Sequence, residues 1–225
     1  MTKIAALVPM RHHSQRVPGK NFRPLGGKPL YHYIIETLLA VPEISDVVVD
    51  TDSPDIIAGL GAHFPSVVVL ERPAHLRPDE IPMNEVLMYD TSQVEADFYI
   101  QTHSTNPVLR SKTISKAIQF FLANYPAFDS LFSVTRFQTR LWDHLGRAIN
   151  HNPMILLQTQ VLSPVYEENS CIYIFRRETL VARRNRLGER PMMFEISVAE
   201  AWDIDEELDF AITDFLMKKG LNPSA

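Results

Sequence analysis

Ile4-Ala5-Ala6-Leu7-Val8-Pro9-Met10-Arg11-His12-His13-Ser14-Gln15-Arg16-Val17-Pro18-Gly19-Lys20-Asn21 is the stretch on which the fold turns. It opens with an apolar run, residues 4–9, of the length and character of a short buried strand. Arg11, Arg16 and Lys20 follow, and Pro18-Gly19 breaks any helix that would array these cations on one face, so they lie on a loop. Gly26-Gly27-Lys28-Pro29 closes the loop, and an amphipathic segment runs over residues 30–39. Strand, long cationic loop, helix is how an α/β fold builds a polyphosphate pocket at the carboxyl end of its first strand.

Outward from there, apolar runs alternate with helical patterns. Strands are expected at residues 4–9, 46–50, 67–70, 98–101, 131–135 and 171–175, and helices at 30–40, 54–59, 83–95, 112–124, 177–185 and 206–219. Val47-Val48-Val49 and Val67-Val68-Val69 are continuous rather than alternating, which implies strands covered on both faces and a mostly parallel sheet. The expected fold class is therefore α/β: a three-layer, doubly wound single domain over 1–225. Residues 140–169 lose periodicity and contain Pro153 and Pro164. They read as a small excursion from the sheet: a lid, a substrate-binding extension or a subunit contact anchored by Trp142, Leu145 and Met154.

At 225 residues and 45% hydrophobic, the chain is long enough for a full core. A net charge of −5 makes the basic loop a local concentration and argues against a general nucleic-acid partner. The single Cys171 excludes a disulfide framework and a cysteine-based zinc site. With no signal peptide and no apolar run near ~18 residues, a soluble cytoplasmic protein with no membrane partner is expected.

In a doubly wound fold, ligands sit beyond the carboxyl ends of the strands. After the second strand, Thr51-Asp52-Ser53-Pro54 reads mainly as a helix cap. After the third, Arg72 either reaches nucleotide or pairs with Glu71. After the fourth, Gln101-Thr102-His103-Ser104-Thr105-Asn106 is rich in hydrogen-bonding groups suited to a polyhydroxylated ligand. Near the end, Asp203 and Asp205 flank Ile204, so in an extended segment both carboxylates project to one side. Their mutual repulsion calls for a cation between them, and hard oxygen ligands at this spacing suit Mg²⁺. The bland alternative makes Asp205 the cap of the last helix, with Glu207 and Asp209 a solvated first turn. A cationic loop with a magnesium-type pair suggests nucleotidyl or phosphoryl transfer. Absence of GxxxxGK[ST] argues against a P-loop enzyme, and absence of GxGxxG against a dinucleotide dehydrogenase.

Assembled, these elements resemble the acylneuraminate cytidylyltransferase family, the CMP-sialic acid synthetases and their relatives. The family's loop, Arg-x-Gly-Ser-Lys-Arg-x-Pro-x-Lys-Asn, stands here as residues 11–21, followed by Pro24-Leu25-Gly26-Gly27-Lys28-Pro29-Leu30. Val49-Asp50-Thr51-Asp52 is similar to its Ser-Thr-Asp, Glu71-Arg72-Pro73 to its Arg-Pro, and Asn169-Ser170-Cys171-Ile172-Tyr173 to its Asn-Gly-Ala-Ile-Tyr. Asp203-Ile204-Asp205 with Asp209-Phe210 resembles its Asp-Ile-Asp-Thr-x-x-Asp-Phe ending. The matches run in order over essentially the whole chain.

The resemblance implies a nucleotide-diphospho-sugar transferase-like fold and transfer of CMP from CTP to a 2-keto-3-deoxy acid sugar, with release of pyrophosphate. It makes Arg11, Lys20, Asp203 and Asp205 the catalytic set. Arg11, Ser14, Arg16, Lys20, Asn21 and Arg72 would contact the nucleotide, and Gln101 and Asn169 nucleotide or sugar. Asp203 and Asp205 would hold Mg²⁺, and a homodimer is implied. Acceptors in view are sialic acid or a related nonulosonate, or keto-deoxy-octulosonate; a non-catalytic nucleotide-binding homologue is the rival of another class. Three departures stand out. His13 and Gln15 replace the loop's Gly and Lys, Ser170 replaces the glycine after Asn169, and the mid-chain Gln-Pro-Thr-Ser-Pro-x-Arg is longer and differently started here.

Overall fold

In a computed structural model, which describes residues 2–219, β1 (Ile4–Met10) is buried along its full length. A short ribbon, β2 (Pro24–Leu25) with β3 (Lys28–Pro29), turns the chain into α1 (Leu30–Leu39). Then come β4 (Asp46–Thr51), α2 (Pro54–His63), β5 (Val68–Glu71), α3 (Met83–Gln93), β6 (Phe98–Gln101) and α4 (Ser111–Asn124). The C-terminal part supplies β7 (Ser130–Phe137), β8 (Val165–Phe175), α5 (Arg177–Arg183), β9 (Pro191–Glu195) and α6 (Glu207–Lys218).

The main sheet has seven strands in the order β5-β4-β1-β6-β8-β7-β9. It is mostly parallel, as expected; β8 alone runs against both its neighbours. Alternate residues of β1 enter two cores. Ala6 and Val8 pack with Ile34, Ile35 and Leu38 of α1, Ile56 of α2 and Ile118 of α4. Ala5 and Leu7 pack on the other face with Leu87 of α3 and Leu180 of α5. Helices on both faces explain the continuous valine runs, and each fully buried aliphatic side chain contributes about 1.5–3 kcal/mol.

Two expectations change. The excursion starts after Phe137 and ends before Val165, because residues 165–169 belong to β8. There β8 pairs with β7 alone, beyond the last β6 partner Tyr173, which leaves both faces wet and the sequence polar. β9 was also not expected. A third, smaller core of Val17, Leu25, Leu30, Ile204 and Phe210 joins the cationic loop to the segment before α6. No helix among the described residues is long and apolar enough to cross a membrane.

Candidate active site

The loop after β1 is folded back by its own residues. Val17 is fully buried, and its N–H donates to Ser14 Oγ at 3.3 Å. Gly19 adopts φ 65°, and a Cβ there would meet the Phe22 ring at 2.9 Å, so the bend demands glycine. His12 is held by Asp52, whose Oδ1 accepts from the His12 N–H at 2.7 Å, while Ser53 caps α2 as expected. Asn21 is an internal brace: its amide donates to the Arg11 carbonyl at 2.9 Å, and its Oδ1 accepts from Ser104 Oγ at 2.6 Å. These contacts hang the loop over the carboxyl ends of β1 and β6.

Beneath it opens a cleft of about 680 Å³, lined by Arg11, Ser14, Arg16, Lys20 and Asn21 among the expected residues, and by His13, Gln15, Asp79, His103, Ser104 and Thr105. Arg11 Nη1 and Gln15 Nε2 each donate to Asp79 at 2.5 Å, through different carboxylate oxygens. His13, in the family's glycine position, lines this cleft with an exposed side chain.

The acidic segment reaches the same place. Ile204 is fully buried in the small core, and its N–H donates to the Thr105 carbonyl at 3.0 Å, which turns the flanking Asp203 and Asp205 toward the loop. Arg16 donates to Asp205 Oδ1 at 2.7 Å. Lys20 Nζ donates to the Ile204 carbonyl at 2.6 Å and lies 3.9 Å from Asp205 Oδ1. Burial holds the Lys20 pKa below its usual value, although Asp203 and Asp205 oppose this. Burial likewise raises the Asp203 carboxyl against a hydrogen bond from Thr105, and Asp205 raises it further. The helix cap is not Asp205. Glu206 caps α6 in a capping box with Asp209, which leaves the Asp205 side chain to the cations.

Five expected residues sit outside the cleft lining: Asp203 and Asp205, which meet its cations from beside it, and Arg72, Asn169 and Gln101. Arg72 is a correction: its side chain is fully buried and donates to Asp50, while Arg77 takes Glu71, so Arg72 supports the sheet end rather than facing a nucleotide. Asp90 adjoins this pair. Burial raises both carboxyls, and with Asp50 engaged by Arg72 it is Asp90 that is pushed up to about 9 and keeps the proton. Asn169 is likewise structural, accepting from Ser133 Oγ at 2.5 Å and donating to Thr135 Oγ1 at 2.9 Å. Ser170 beside it has φ 59°, the left-handed conformation that accounts for glycine in the family pattern.

Gln101 is fully buried behind the cleft wall, where its Oε1 accepts from Arg186 Nη1 at 2.5 Å. His103, on the wall itself, is pushed down to about 4 by burial and then by Arg186 and Lys20, so its ring is neutral at neutral pH. His103 was visible only as one member of a polar run. Arg186, Asp79 and Asp90 carried no periodic or motif signal; their roles arise from elements brought together by the fold.

A family model described as Cytidylyltransferase matches residues 5–219. The chain is 26% identical over 230 residues to post-translational flagellin modification protein B of Campylobacter coli, covering 97% of each chain. It is 27% identical over 228 residues to CMP-N,N'-diacetyllegionaminic acid synthase of Legionella pneumophila, covering 96% of this chain and 97% of that one. A solved CMP:2-keto-3-deoxy-manno-octonic acid synthetase complexed with CTP superposes with a TM-score of 0.74 at 20% identity, covering 98% of this chain and all of that one, and so shares the fold. With the match running from β1 through α6, the chain belongs to the cytidylyltransferase family and is a CTP-dependent nucleotidyltransferase.

Proposed function

We propose that the protein transfers CMP from CTP to the anomeric hydroxyl of a 2-keto-3-deoxy acid sugar of the nonulosonate class, releasing pyrophosphate. The observation that carries the site assignment is the meeting of Lys20, Asp203 and Asp205 under the cationic loop, fixed by the buried Ile204. The hydroxyl oxygen bonds to the α-phosphorus, the bond from it to the β-bridging oxygen breaks with its electron pair leaving on pyrophosphate, and the hydroxyl proton passes to solvent water. Arg11, Ser14, Arg16 and Lys20 bind and orient the triphosphate and stabilise the departing pyrophosphate charge. Asn21 holds the loop in shape for this.

Asp203 and Asp205 fit Mg²⁺. Asp203 Oδ1 is buried without a hydrogen-bond partner, an oxygen for which a cation is the natural complement. Among the described residues no cluster of three or more His, Cys, Asp or Glu could hold a metal, so water and phosphate oxygens must complete the shell, as Mg²⁺ prefers. Bound there, the ion supplies charge neutralisation at the phosphates.

The acceptor class is supported by the Legionella relative, whose name gives a CMP-nonulosonate product and which aligns over nearly its whole length. The 3-deoxy-manno-octulosonate cytidylyltransferase of Escherichia coli aligns over only 53% of this chain. A homodimer is part of the proposal, supported by the apolar arm between β7 and β8, where Met154 and Leu156 are each 89% exposed.

Pyrophosphate release, measured with each nucleoside triphosphate against N-acetylneuraminate, N,N'-diacetyllegionaminate and keto-deoxy-octulosonate, tests the reading. Release is expected with CTP, a nine-carbon acid sugar and Mg²⁺ together. CTP binding without release from any acceptor would establish the non-catalytic rival, and release with the octulosonate alone would overturn the acceptor class. Asp203→Asn should lose turnover while still binding CTP.

A further inference from the structure

We infer that Arg186 receives the carboxylate of the acceptor and so determines specificity for acid sugars; the inference rests on the acid-sugar reading above. Arg186 lies on the segment between α5 and β9, with its guanidinium carbon 3.4 Å from the centroid of the Tyr173 ring. The ring face fixes the plane of the guanidinium fork.

From Arg186 runs a hydrogen-bond chain with one possible direction. A guanidinium only donates, so the Gln101 oxygen must face Arg186. The Gln101 amide nitrogen then donates to the Thr102 carbonyl at 3.2 Å and lies 3.1 Å from His103 Nε2. That nitrogen also only donates, so His103 Nε2 accepts and the ring proton sits on Nδ1. The result is a neutral imidazole on the cleft wall, oriented by Arg186 through Gln101.

Arg186 also differs from the cations of the cleft. Arg11 is paired with Asp79, and Arg16 and Lys20 with Asp205. Arg186 has no carboxylate within ion-pair distance among the described residues; the nearby Glu168 is engaged by the Tyr173 hydroxyl. A largely buried guanidinium without a carboxylate is costly, and a ligand carboxylate taken by its fork relieves that cost. The position suits the chemistry. In a 2-keto acid sugar the carboxylate is borne by the carbon that carries the attacking hydroxyl, so its anchor must stand close to the phosphate cradle. The chain through Gln101 links Arg186 to His103 on the wall of that cradle, and the charges of both Arg186 and Lys20 reach His103.

The test compares the acid sugar that the wild type turns over with its C1 carboxamide, in wild type, Arg186→Lys and Arg186→Met. The wild type should strongly prefer the acid. Arg186→Met should raise KM for the acid by about 30-fold or more, leave KM for CTP unchanged and abolish the preference over the carboxamide. Arg186→Lys, which keeps charge and bulk but not the fork, should fall between. A preference for the acid that survives Arg186→Met, or an equal rise in KM for CTP, would overturn the inference. If the wild type turns over no acid sugar, the acceptor reading itself has failed. The subsite is then decided by the Arg186 Hε resonance in labelled protein titrated with lactate and with lactamide. Movement with lactate alone supports the subsite, and no movement with lactate overturns it.

Discussion

Asp79 sets the charge that a triphosphate must compete with, because both Arg11 and Gln15 donate to it. The Arg11–Asp79 pair is half exposed and so of modest strength, which makes the carboxylate a tunable brake on phosphate binding. Asp79→Asn should therefore lower KM for CTP by about two- to fivefold, a change within the range of a surface ion pair. Initial rates at varied CTP check this, and a raised KM would mean that Asp79 orients Arg11 productively. Asp90 carries a different consequence. It is protonated in the folded state up to about pH 9 and ionised above its ordinary carboxyl pKa when unfolded. Folding therefore takes up a proton across that interval, and this residue's contribution to stability falls as pH rises from about 4 to 9. Asp90→Asn removes the penalty, so relative to wild type it should gain more in Tm at pH 8.5 than at pH 5. Parallel melting at the two pH values would contradict the assignment.

Ile204 shows how a short element turns composition into geometry. The alternation of Asp203, Ile204 and Asp205 was legible as two carboxylates on one side, but what held them was not. Their orientation comes from a core made with the neighbouring Phe210 and with Val17 and Leu25 from the other end of the chain. Ile204→Ala should cost about 2–5 kcal/mol of stability and reduce kcat at temperatures where the variant remains folded. Full kcat in a destabilised variant would detach the core from the site. Other elements show the same boundary between local and non-local information. The cationic loop was readable because Pro18, Gly19 and the cations act locally. The burial of Arg72 was not, since it depends on Asp50 and Asp90 from β4 and α3. The polar first half of β8 escaped because it extends past the end of β6 and pairs only with β7, which removes the apolar pattern that marks a strand.

Across the whole molecule, the alternation of apolar runs with amphipathic segments was sufficient for a doubly wound sheet, because core burial on both faces imposes that pattern. The arm between β7 and β8 is the exception. Polar clamps order it, with Gln138 donating to the Gln160 and Leu162 carbonyls and Asn150 to those of Thr139 and Ser163. Its apolar side chains nevertheless point outward, as surfaces that meet a second copy do. Sedimentation at micromolar concentration should find a dimer, and Leu156→Asp should yield a folded monomer; a monomeric wild type would refute the proposed contact. The most direct measurement of the central claim is a ³¹P NMR time course with the enzyme, CTP, Mg²⁺ and N,N'-diacetyllegionaminate. The account predicts that the triphosphate signals give way to one phosphodiester signal and pyrophosphate in equal amounts. Accumulation of free CMP or CDP, or unchanged CTP, would contradict it.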